Sequence, residues 1–90
     1  MKPKKPVTWR TLLKERFKYK GDNFDKMVTT LSEEELDREF DDGFGSAEGT
    51  PFTAWGEKYV YFPGVYDGAE WVDCAPRNPC DEITDHVGGQ

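Results

Sequence analysis

Three sets of residues in this 90-residue chain have types and spacings suited to chemistry. The densest is acidic. Glu33, Glu34, Glu35, Asp37, Glu39, Asp41 and Asp42 put seven carboxylates into ten residues, with only Arg38 among them. Such a row imitates the phosphates of a nucleic acid and suits an Arg- and Lys-lined cleft on another protein. The plainer account is a solvated helix end. Ser32-Glu33-Glu34-Glu35 reads as a capping box, which explains the first three acids without any partner. It does not explain Asp37, Glu39, Asp41 and Asp42. Asp41, Asp42 and Glu48 flank a glycine-rich loop and offer oxygen ligands, yet the run lacks the D-x-[DN]-x-[DN]-G spacing of a calcium loop. Paired carboxylates also serve acid–base catalysis, but no nucleophile or pocket is legible beside them.

The second set is Cys74, Cys80 and His86, a C-x5-C-x5-H spacing with Asp81 or Asp85 within reach as a fourth zinc ligand. No CxxC pair accompanies it, and two prolines interrupt it, so it departs from ordinary zinc modules. A disulfide closing this short loop runs against a reducing cytosol. Two unlinked thiols and a solvent-facing histidine are the expectation, with no metal and no cofactor. The third set is basic: Arg10, Lys14 and Lys18 line one side of an amphipathic helix. That is a shape that binds nucleic-acid backbones or anionic membranes. Solvated lysines opposite a core stripe are the simpler account, and the net charge of −6 opposes non-specific nucleic-acid binding.

The elements that must position these groups can be read from periodicity. Thr8 caps a helix from Trp9, with Trp9, Leu12, Leu13 and Phe17 as its apolar stripe and Gly21 as its end. Phe24, Met27, Val28 and Leu31 predict a second amphipathic helix of about ten residues, too short to stand alone in water. A third helix runs from Glu33 to about Asp37, followed by an extended entry through Phe40. Phe52–Trp55 and Lys58–Phe62 read as strands around a Gly56-Glu57 turn, with Tyr59 and Tyr61 on one face and Val60 and Phe62 on the other. Pro63-Gly64 predicts a break, after which Val65-Tyr66 resumes. Asp67-Gly68 signals a type I′ hairpin into a strand over residues 69–74, with Trp71 inward. The fold class is therefore α+β, with two or three short N-terminal helices packed on a three-stranded antiparallel β-meander.

One domain spans residues 1–90: a mobile basic lead-in over 1–7, a helical part over 8–40, the meander over 51–75 and a loose tail over 81–90. Thirteen aromatics allow a small core to form from few residues. Charge is unevenly divided, with a net of +7 over residues 1–20 and −13 over residues 21–90. No stretch has the roughly 20 apolar residues of a membrane span. The N-terminus lacks the apolar region of a signal peptide. Together these predict a cytosolic protein with no membrane association.

As a set, LSEEELDREFDDGFG, FTAWGEKYVYFPGVYDGAEWV and PRNPCDE resemble a family of small acidic proteins encoded in phages and prophages. The resemblance covers about residues 22–88. It implies a bacterial host cytosol, and action by stoichiometric occupation of a host or phage protein, as in anti-CRISPR or anti-restriction inhibition. It carries no active-site residues. The functional expectation is a non-enzymatic binding protein that meets a basic surface through Glu33, Glu34, Asp37, Glu39, Asp41 and Asp42. The alternative is a nucleic-acid-binding accessory protein that uses the basic N-terminal helix.

Overall fold

Thr8 sits at the junction of the first strand and the first helix, with extended backbone and a side-chain oxygen that accepts from the Thr11 amide. The helix it opens, α1 (Trp9–Lys20), ends at Gly21, whose left-handed φ of 69° strains other residue types. A computed structural model describes residues 6–41, 49–66 and 69–87. Ahead of α1, β1 (Pro6–Val7) pairs antiparallel with β3 (Phe40–Asp41), so these two residues of the expected lead-in belong to the fold. The remaining strands are β2 (Val28–Thr29), β4 (Ala54–Trp55), β5 (Tyr59–Tyr66) and β6 (Ala69–Pro76). They form one antiparallel sheet in the order β2-β4-β5-β6.

The expected ten-residue second helix is a correction. Phe24–Lys26 makes a single 3-10 turn capped by Asn23, and the chain then extends into β2. Val28, Thr29 and Thr30 are consecutive β-branched residues, which lose side-chain freedom in a helix and fit a strand. Thr30 N donates to Thr53 O and Thr29 Oγ1 accompanies it, which fastens β2 to the segment entering β4. The expected meander of three strands thus gains a fourth. The third helix is as expected: α2 (Glu33–Asp37) carries both halves of the Ser32–Glu35 capping box.

β5 runs unbroken through Pro63 and Gly64, against the expected interruption. β4 pairs with β5 only at Tyr61 and Val60. The proline therefore sits beyond the end of β4, where a missing N–H removes no ladder bond. The turn between β4 and β5 falls at Glu57-Lys58, one residue later than expected, because Gly56 N still donates to Tyr59 O. The Asp67-Gly68 turn lies outside the described residues.

The core lies between α1 and one side of the sheet. Trp9, Leu13 and Phe17 are fully buried on α1, and Phe17 stacks on Tyr61 with ring centroids 4.0 Å apart. Trp9 packs against Phe40 and Phe52 and donates from Nε1 to Thr50 O at 3.0 Å. Leu36 anchors α2 in the same cluster. On β6 the buried residues are Glu70, Val72 and Cys74, so Trp71 points away from the core, contrary to the expectation. Alternation decides this, since successive side chains on a strand leave opposite faces. Among the described residues no helix is long and apolar enough to cross a membrane.

Candidate interaction surface

The acidic segment is partly neutralised from within. Arg10 on α1 donates from Nε to Asp37 Oδ1 at 2.7 Å and from Nη2 to Glu33 Oε1 at 2.5 Å. Asp37 lies below the usual carboxylate range because Arg10 hydrogen-bonds its charged form, and Arg10 is held still more firmly charged by Asp37 and Glu33. Glu35 is occupied by the capping box. Glu34 and Glu39 are exposed and form no ion pair among the described residues. Asp41 is placed through its backbone pairing with Pro6, while Asp42 and Glu48 lie outside the described residues. Of the six expected contact carboxylates, two therefore face solvent unpaired and two share one arginine.

The same pairing disperses the basic set. Arg10 is spent on α2, and the Lys14 ammonium lies 6.0 Å from the Phe24 ring centroid. Cys74 is buried and Cys80 exposed, and neither is bonded to the other. Burial pushes the Cys74 thiol up against the opposing pull of Arg16 and Lys20, so it is a poor nucleophile at neutral pH. Among the described residues no three His, Cys, Asp or Glu side chains converge on a metal-sized site.

The carboxylate that matters most to the architecture is Asp22, outside all three sets singled out by residue type and spacing. It follows Gly21 directly and reaches the β4–β5 turn. Glu57 N donates to its Oδ1 at 2.9 Å, Lys58 N and Tyr59 N reach Oδ2 at 3.2 Å each, and the Tyr61 hydroxyl donates to Oδ2 at 2.9 Å. Burial alone raises its pKa, but the bonds from Asn23, Tyr61, Lys58 and Glu57 outweigh burial and hold it low. Tyr61, buried and facing that charge, is pushed well above the ordinary phenol range. A Cβ at Gly56 would strike both the Asp22 carboxylate and the Phe17 ring, so only glycine lets the turn close on them. The signal was present in the sequence: a tight turn exposes consecutive N–H groups that need an acceptor.

Among the described residues no helix covers the other side of the sheet. Strand register aligns Val28, Trp55, Val60 and Ala75 in one row, and alternation adds Phe62 and Tyr66 to that face. Val28 is 63% exposed and Tyr66 54%, while Trp55, Val60 and Phe62 are only partly buried. Among the described residues no helix packs there, since α1 lies on the Tyr61 side. Trp71 leaves the same face, and its indole lies over Gly64 of β5, where a Cβ would strike the ring. Along the outer edge of β6, Leu12, Glu15, Arg16 and Tyr19 of α1 line a groove of about 370 Å3 with Trp71 and Val72. Trp71 Nε1 donates to Asp73 Oδ2 at 3.3 Å.

Comparison of the chain with protein-family models, with curated proteins and with solved structures finds no match.

Proposed function

We propose that this protein acts by stoichiometric, non-catalytic binding to another protein, and that the open side of its sheet is the contact surface. The observation that carries this reading is the row Val28–Trp55–Val60, extended by Phe62 and Tyr66, on the side opposite α1. Rigid aromatic and branched side chains on paired strands supply apolar contact at little entropic cost, and Trp, Tyr and Phe are enriched at the centres of protein interfaces. The net charge of −6 favours a partner with a basic surface through faster encounter. The resemblance of three sequence runs to small acidic phage proteins supports a bacterial protein as that partner, of the class targeted in anti-CRISPR or anti-restriction inhibition.

The acidic surface on α2 is the competing location, and the two lie on different sides of the molecule, because α2 packs against α1. A quantitative pull-down from bacterial lysate separates them. The wild-type chain is expected to retain a partner in equimolar amount. Phe62→Glu should abolish that capture, and Glu34→Lys with Glu39→Lys should leave most of it. Capture that survives Phe62→Glu but fails with the lysine pair moves the site to α2. Failure to retain any partner in equimolar amount overturns the binding function itself.

A further inference from the structure

The outer edge of β6 raises a separate question, because an eight-residue edge strand is a template for pairing with another chain. Hydrogen-bond parity shows which groups face that edge. Arg77 N donates to Lys58 O, so stepping back two residues at a time puts Ala75, Asp73 and Trp71 in bonded register with Val60, Phe62 and Gly64. The backbones of Glu70, Val72, Cys74 and Pro76 therefore point outward. The Cys74 N–H, which faces the edge, is taken at 2.9 Å by Oδ1 of its own neighbour, Asp73. Arg16 reaches from α1 to the same oxygen at 3.6 Å, so the two side chains cross the edge beside Cys74. Pro76 has no N–H to offer. At Glu70 a charged side chain points inward and accepts from Gly49 N, a further device that spoils an edge.

We infer that Asp73 guards the open edge of β6 against strand pairing with a second copy of this chain. The second copy is the natural intruder, because an antiparallel pair centred on Val72 is self-complementary under two-fold symmetry and sets Glu70 opposite Cys74 in both directions. The groove beside Val72 also carries one acid and one base, Glu15 and Arg16, together with Leu12, Tyr19 and Trp71. Without the Asp73 carboxylate the edge is locally charge-balanced, so the chain's net charge does little to keep two such grooves apart. Among the described residues Arg16 Nε is buried without a hydrogen-bond partner, and the contact of its Nη2 with Asp73 is what brings the guanidinium to the strand. The guard works by satisfying the outward donor before another chain can.

The test is light scattering behind size exclusion, combined with amide hydrogen exchange, on the intact chain and three variants. Wild type and Asp73→Asn are expected to run as the 10.3 kDa monomer, since the amide oxygen can still accept from Cys74. Asp73→Ala and Asp73→Val are expected to double in mass with rising concentration and to slow exchange at the Val72 and Cys74 amides. Valine keeps the strand propensity that alanine lowers, so one of the pair reports even if the other folds poorly. A wild-type dimer protected at those same amides overturns the inference. So does a Val variant with native near-ultraviolet dichroism that stays monomeric, or a dimer whose β6 amides exchange at the monomer rate.

Discussion

Tyr61 and Phe62 are neighbours in sequence and live in opposite surroundings. Tyr61 is wholly buried, stacked on Phe17 and bonded to Asp22, whereas Phe62 is only partly buried, on the side of the same strand that no described helix covers. Each side of the sheet carries a comparable supply of aromatic and branched residues. What separates them is a single helix. α1 covers one face and turns its residues into core, and the other face is left with apolar side chains that no described element covers. Hydrophobicity by itself therefore marks neither stability nor binding in this molecule; the presence of a covering layer does.

The comparison can be broken most forcefully at Phe17. Phe17→Ala removes the ring that stacks on Tyr61 and meets Phe24 edge-on, and it should cost about 3–5 kcal/mol. That is a large share of the roughly 5–15 kcal/mol that holds a domain together. Urea denaturation followed by tryptophan fluorescence measures it.

Asp22→Ala should cost about 2–3 kcal/mol, because the N–H groups of the β4–β5 turn and the buried Tyr61 hydroxyl lose their acceptor together. The sign of the pH dependence follows from the lowered pKa of Asp22. The folded state binds this proton more weakly than the unfolded chain does. Its contribution is therefore complete above the unfolded value of about 3.9 and is lost as pH falls through the folded value. Wild type should lose stability below about pH 4, and Asp22→Ala should lose less over the same interval in parallel denaturation series.

On the open side the expectation reverses. Phe62→Ala should change stability by no more than about 1 kcal/mol, and Tyr66→Ala by no more than about 0.5 kcal/mol, while both weaken partner capture. A Tyr66 variant as destabilised as Phe17→Ala would show that the face is covered after all. Arg10→Ala is expected to give a small loss that shrinks in high salt, since its two carboxylate partners are largely solvated. Denaturation midpoints at low and high ionic strength check this.

Much of the fold was legible because its signals are local. Thr8 as cap, Gly21 as helix end, the Trp9–Leu13–Phe17 stripe and the Ser32–Glu35 capping box each involve residues within a turn or two of one another. The misreadings share a cause. Phe24 to Leu31 has helical spacing, but Thr53 offers β2 a backbone partner from 23 residues away, and pairing decided against the helix. The expectation of Trp71 inward fails because Glu70, Val72 and Cys74 take the core side of β6, and alternation sends Trp71 to the other face. The acidic segment is visible as composition; that Arg10 would close on Glu33 and Asp37 depends on how α2 packs against α1.

The sequence by itself determined the α+β class, the caps, the β-rich second half and the division of charge between the two ends, because propensity, capping and composition act over a few residues. The tertiary structure alone decided which carboxylates are spent and which face is left open. It gathered the turn amides of residues 57–59 onto Asp22, paired Arg10 with α2, and laid Arg16 and Asp73 across the edge of β6. Each of these joins groups more than twenty residues apart. Side-chain alternation shows only that a strand has two faces; where α1 docks decides which of them becomes core.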